Sequence, residues 1–143
     1  MQRFLDAQAE VWDSVIAELT LGRKQSHWMW FVFPQLSGLG RSHISRKFSI
    51  PDLSAATEYL DHQILGERLR VCTMLVCAQL PTTPLTKIFP RPDHLKFKSS
   101  MTLFKLAASS VADQNLFAKA LGQYCDGKHC ELTQKLLRQI EQR

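Results

Sequence analysis

Residues 28–33 read Trp-Met-Trp-Phe-Val-Phe, and Pro34 follows directly. Six consecutive apolar side chains, four of them aromatic, cannot be left in water. The block must sit at the centre of whatever this chain folds into, and the remaining elements must cover it. Pro34 ends the run, because it has no backbone N–H and a fixed φ. Six residues suit a buried strand or a buried helix equally well by periodicity. No convincing strand partner occurs elsewhere, so the expectation is a short buried helix capped by Ser26. It should pack against the first helix and against a long helix opening at Asp93.

The segments available to cover it have helical spacing. Val11, Trp12, Val15, Ile16 and Leu19 form a stripe that predicts a helix from about Arg3 to Leu21, ended by Gly22. Ser42 suits the N-cap of a short helix through Phe48. Pro51-Asp52 opens another, carrying Leu53, Ala56, Tyr59 and Leu60. Leu65, Leu69, Cys72, Val76 and Leu80 fall at spacings of 4, 3, 4 and 4 and predict a helix from Ile64 to Leu80. Pro81, Pro84, Pro90 and Pro92 then break the chain, leaving room for one turn at Leu85 to Phe89. Asp93 is expected to cap a helix whose stripe is Phe97, Met101, Phe104, Ala108 and Val111. Helices at about Asp113–Tyr124 and Glu131–Glu141 flank an Asp126-Gly127 turn. The fold class is all-α. Residues 1–143 are expected to form a single compact orthogonal array of about six to eight helices, too irregular in length for a simple bundle.

Lys and Arg number 18 against 13 Asp and Glu, a formal net charge of +5. This mild bias favours anionic partners. The cations are scattered, so nucleic acid is a possible partner but not the favoured one. Disorder along the whole chain is excluded by three Trp, eight Phe and many Leu. A helical membrane span is excluded, since the longest apolar run falls far short of the ~18–20 residues needed. Met1 opens into a mixed helix pattern with Asp6 and Glu10 rather than a secretory leader. The expectation is a cytoplasmic protein whose Cys72, Cys77, Cys125 and Cys130 are reduced thiols. Cys125, His129 and Cys130 are near enough in sequence to supply three zinc ligands, yet their spacing matches no paired zinc pattern. The competing reading is two small apolar residues and a surface His at a turn. No metal and no cofactor are expected, and nothing in the pattern sets an oligomeric state.

Three constellations could carry chemistry. In the first, Arg23 to Gln35, basic and polar groups run into the aromatic block. Trp28 and Trp30 could stack on a ligand ring, with Ser26, His27 and Gln35 supplying hydrogen bonds. The alternative is a buried aromatic cluster with His27 satisfied by a carbonyl. In the second, Gly38 and Gly40 free the backbone to turn its N–H groups onto an anion at a helix N-terminus, beside Arg41 and Ser42. The spacing is neither a P-loop nor a dinucleotide fingerprint. The alternative is an ordinary glycine turn before a capped helix. In the third, Lys96, Ser99 and Ser100 neighbour one another on a helix. A desolvated Lys could activate a Ser, or the hydroxyls could simply allow close helix packing. His27 is the expected acid or base of any reaction, because His titrates near neutral pH without perturbation.

The blocks Ser26 to Leu36, Gly38 to Ser42, Leu65-Gly66-Glu67-Arg68-Leu69, Asp93 with Leu95-Lys96, and Ser99 to Phe104 resemble the bacterial domain-of-unknown-function family 1810. The resemblance runs from Phe4 to about Gly122. It implies a mainly α-helical single domain without a settled biochemical activity, and it supplies no catalytic residue. The calpastatin-like label sometimes given to members gains no support here, since calpastatin is disordered and this chain is apolar, aromatic and helix-patterned.

The functional expectation is a pocket for a phosphate-bearing small molecule, such as a nucleotide, in which these constellations meet. The alternatives are a non-enzymatic structural or interaction domain, and a nucleic-acid-binding domain. Whether there is a reaction at all is left open. Convergence of His27, Trp30, Gln35, Arg41, Lys96 and Ser99 on one concavity would favour the first.

Overall fold

The first helix, α1 (Gln2–Leu21), follows its stripe to the residue where it should stop. Gly22 takes φ 75°, the left-handed conformation that glycine enters without Cβ strain, and Arg23 N–H returns to the Glu18 carbonyl at 3.0 Å. A computed structural model describes residues 1–142, and among them every regular element is helical. After α1 come α2 (Met29–Val32), α3 (His43–Lys47), α4 (Leu53–Asp61), α5 (Gln63–Cys77), α6 (Leu85–Ile88), α7 (Asp93–Ala107), α8 (Val111–Tyr124) and α9 (Glu131–Glu141). Of these nine helices, α2 and α6 are single turns of four residues, so the count slightly exceeds the expected six to eight. The one extended pairing among the described residues is a parallel bridge between Leu36 and Ile50. No described helix is long and apolar enough to cross a membrane.

The helices end where local chemistry ends them, and this corrects four expectations. Leu80 is 72% exposed, because α5 stops at Cys77. Pro81 disfavours helical backbone at the residue before it, so the apolar spacing outlives the helix. Val111 is exposed for a related reason: α7 stops at Ala107, and Ser110 caps a new helix by accepting the Asp113 N–H at 3.1 Å. Asp93 is the first residue of α7 and does not cap it; its carboxylate is held by Lys24 and Lys96 instead. Ser26 does not cap α2 either, because its hydroxyl donates to Glu18. The caps expected at Ser42 and Asp52 are present, accepting from Ser45 N–H at 3.1 Å and Ala55 N–H at 2.8 Å.

The aromatic block lies in the core. Trp28, Met29, Phe31, Val32 and Phe33 are all buried, and only Trp30 is half-exposed. Phe33 meets Phe97 of α7 at 5.2 Å between ring centroids and Phe89 at 5.6 Å, both edge-on. Phe31 leans on Phe48 at 5.2 Å, and the chain of rings continues through Phe4 and Tyr59 to Phe104. These tilted and edge-on geometries are the ones aromatic quadrupoles favour. The two polar groups in this region satisfy each other: buried Gln8 donates to the Phe31 carbonyl at 2.7 Å and to the Tyr59 hydroxyl at 3.0 Å.

One ion pair ties three helices. Arg70 on α5 grips Asp113 on α8 with two donors, at 2.7 and 2.9 Å, and also donates to the Leu60 carbonyl of α4. The Arg70 hydrogen bond holds the Asp113 carboxyl below its ordinary value. A carboxyl lowered by folding adds stability above its unfolded pKa and loses it as pH falls through the folded value. Asp113→Asn should therefore cost about 1 kcal/mol at pH 7. The difference from wild type should close below about pH 4 in urea melts. A pH-independent difference would contradict the pairing.

Candidate functional site

Lys96, on the first turns of α7, is the residue around which the polar groups gather. Its ammonium stands 5.0 Å from the Trp30 ring centroid and 3.6 Å from Asp93 Oδ1. Lys24 binds the other Asp93 oxygen at 2.8 Å and lies over Trp28 at 5.3 Å. Two lysines thus share one carboxylate and two indole faces, which leaves the cluster with a net positive charge. The Lys24 side chain is only 8% exposed, so it is spent on structure. Lys96 is more open and borders concavities on both sides.

On one side, a cavity of about 490 Å³ is lined by Gln35, Gly40, Lys96, Lys98, Ser99, Cys130 and Glu131, with Leu39, Leu95 and Leu132 as apolar wall. On the other, a cavity of about 350 Å³ is lined by Lys24, His27, Met29, Trp30, Arg91, Asp93 and Lys96 among others. The expected constellation is therefore divided. Gln35, Gly40, Lys96 and Ser99 meet in the larger cleft, whereas His27 and Trp30 meet Lys96 in the smaller one.

The remaining expected residues lie elsewhere. Trp28 is wholly buried, and Ser26 is bound to Glu18. Ser100 is fully buried, and its hydroxyl has no partner among the described residues. Ser42 spends its side chain on capping α3, which at five residues adds little dipole. Arg41 is exposed and lines neither cleft. Gly38 lines a separate cavity with Ser37, Asp52 and Leu136. Gly40 is needed for close approach, since a Cβ there would sit 2.5 Å from the Ser45 Cβ. Cys125, His129 and Cys130 do not converge: His129 lies between Lys105 at 2.9 Å and Gln134 at 2.7 Å, while Cys130 turns to Ser99. Among the described residues, no three His, Cys, Asp or Glu side chains stand together as metal ligands.

Sequence reasoning missed Lys98, Cys130 and Glu131. Lys98 and Ser99 lie three and four residues beyond Leu95 and share its face of α7, a spacing visible in the sequence. Cys130 is the N-cap of α9, and its backbone N–H donates to Thr102 Oγ1 at 2.8 Å. The four thiols differ sharply. Burial pushes Cys72 up to about 12 and raises Cys77 and Cys125 as well. Burial also pushes Cys130 up, but the Ser99 hydroxyl 3.3 Å from its sulfur, with polar groups of the first turn of α9 close by, outweighs it and holds this thiol below its ordinary value.

The fold has a counterpart among solved structures. The crystal structure of the conserved hypothetical protein Rv1873 from Mycobacterium tuberculosis is 47% identical, covers 96% of this chain and 95% of its own, and superposes with a TM-score of 0.90. No curated protein matches the chain. The sequence profile of a family described as proteins of unknown function, DUF1810, matches residues 1–137. That match spans α1 through most of α9, including every residue of both clefts, and the chain belongs to the DUF1810 family.

Proposed function

We propose that the chain binds a small phosphate-bearing molecule, such as a nucleotide or sugar phosphate, in the larger cleft between α7 and the start of α9. The observation that carries this reading is the placement of Lys96 and Lys98 on one cavity with the neutral hydrogen-bonding groups of Gln35 and Ser99. Lys98 has no carboxylate within ion-pair distance among the described residues. Two ammonium groups on one wall supply the point charges a phosphate needs. Leu39, Leu95 and Leu132 offer apolar surface to the rest of the ligand, and Glu131 can accept from its hydroxyl or amino groups. A ligand anchored at Lys96 has His27 and Trp30 across that side chain, within the adjoining cleft.

Thermal-shift measurements against a panel of nucleotides and phosphometabolites test the reading. A ligand at 100 times its Kd should stabilise the fold by about 2.7 kcal/mol. Lys96→Ala and Lys98→Ala should each weaken binding by about tenfold, since each removes one charge-assisted contact. Both lysines are at the surface of α7, so their loss should leave the unliganded melting temperature close to that of wild type. No response to any phosphate compound, or an unaltered response in both variants, would overturn the proposal.

A further inference from the structure

We propose that Cys130 is a nucleophilic thiol serving the larger cleft, and that it reacts there with carbon electrophiles carrying an anionic group. The preference for an anion rests on the ligand reading above, whereas the reactivity of the sulfur rests on its own surroundings.

Cys130 holds a helix N-cap, a position where Ser, Thr, Asp or Asn normally accepts the first free N–H groups. A neutral thiol is a poor acceptor for that purpose, and a thiolate is a good one. The donors around this sulfur are arranged for the charged form. The Ser99 hydroxyl lies 3.3 Å from Sγ and 3.0 Å from the Leu95 carbonyl. It has one proton for these two acceptors. With a neutral thiol, S–H donates to Ser99 Oγ and Ser99 donates to Leu95; with a thiolate, the Ser99 proton turns onto sulfur.

The independent sign is Thr133, on the first turn of α9. It is wholly buried, and its hydroxyl has no hydrogen-bond partner of ordinary geometry among the described residues. That hydroxyl and the N–H groups of Leu132 and Thr133 lie close to the Cys130 sulfur, and no side-chain cap bond closes to it. An unsatisfied buried hydroxyl is costly unless something fills it. A negative charge on Sγ would fill it. Lys96 and Lys98 line the same cavity and attract an anionic reactant to the sulfur.

In the step itself, Sγ as thiolate attacks the electrophilic carbon. The S–C bond forms as the bond to the leaving group breaks, the leaving group departs with its electron pair, and the thiol proton has already passed to solvent. No oxidant or reductant is needed.

Cys125 provides an internal control. It borders a different cavity with His94, Tyr124, Asp126, Lys98 and Lys128, but no hydroxyl among the described residues donates to its sulfur. The test is a time course of alkylation of the full chain at pH 7 with iodoacetate and, separately, iodoacetamide, read by peptide mass spectrometry. Cys130 should be alkylated about tenfold faster than Cys125 by either reagent. The ratio of iodoacetate to iodoacetamide rates at Cys130 should be several-fold higher than for free cysteine under the same conditions, the reference being free cysteine because Lys98 and Lys128 also border Cys125. A Lys96→Ala, Lys98→Ala double variant should lose that selectivity yet still react rapidly with iodoacetamide. Ser99→Ala should slow both reagents at Cys130 alone.

Equal rates at Cys130 and Cys125 in the wild-type chain, or modification of Cys130 only after unfolding, would overturn the thiol proposal even if phosphate compounds still raise the melting temperature. A fast Cys130 with no selectivity for iodoacetate would overturn the anionic preference. A fast, iodoacetate-selective Cys130 in a chain that no phosphate compound stabilises would leave this inference standing and remove the phosphate-ligand reading instead.

Discussion

Trp28→Ala should lower the stability of the fold by about 3–5 kcal/mol. Its indole is fully buried, with Phe33 at 6.3 Å and Phe89 at 6.4 Å between ring centroids. Lys24 covers its face, and Nε1 donates to Glu18 Oε1 at 3.1 Å. Truncation removes the apolar area, opens a cavity beneath α1 and α7, and deprives Lys24 of an aromatic neighbour. The loss would consume much of a stability of ~5–15 kcal/mol, so the urea midpoint should fall steeply with the m-value unchanged. Trp30→Ala should cost much less, because that ring is half-exposed and serves mainly as the surface on which Lys96 rests. A Trp28→Ala midpoint equal to that of wild type would show that the indole is not the keystone described here.

Glu18→Ala should be the next most damaging change, at about 3 kcal/mol or more. The Glu18 carboxylate accepts from Gln25 N–H at 2.6 Å, Ser26 N–H at 2.8 Å, the Ser26 hydroxyl and Trp28 Nε1. It therefore ties down residues 25–28 of the connection between α1 and α2, while the Lys24 N–H goes to the Ile88 carbonyl at 2.8 Å. Removing it strands several donors, one of them on a buried indole. Burial pushes the Glu18 carboxyl up, but these donors outweigh it and hold it below the ordinary glutamate value. The sign follows from that direction: the stabilisation is full above the unfolded pKa and disappears as pH falls through the folded one. Glu18→Gln should consequently be destabilised at pH 7 and converge on wild type below about pH 4. A constant gap across that range would mean the carboxylate charge contributes nothing.

How much of the protein was legible beforehand differs from level to level. Periodicity located α1, α4, α5 and α7, the Asp126-Gly127 turn separated α8 from α9, and the turn chemistry of Gly22, Ser42 and Asp52 marked boundaries of α1, α3 and α4. It failed at Leu80 and Val111, where an apolar residue stands at the right spacing but the backbone has already left the helix. Spacing reports which residues would share a face; only local capping and the following proline decide whether the helix reaches them. The site was legible in part. Lys96, Ser99, Gln35 and Gly40 do share a cleft, yet His27 and Trp30 fall on the far side of Lys96 and Arg41 on neither side.

The sequence alone determined that the fold is helical and that the Trp28 to Phe33 block, Trp30 excepted, would lie in its core. These properties depend on local spacing and on the free energy of burying apolar area, and both can be read along one dimension. Tertiary structure decided the rest. Glu18 became the anchor of the Trp28 loop only when α1 brought it beside residues 25–28. Cys130 became unlike the other three cysteines only when α9 docked beside α7 and set Ser99 against its sulfur, across 31 residues of chain. Hydrogen bonds and charge interactions act over a few ångströms of space, and no pattern along the chain encodes which distant donors will fall within that reach.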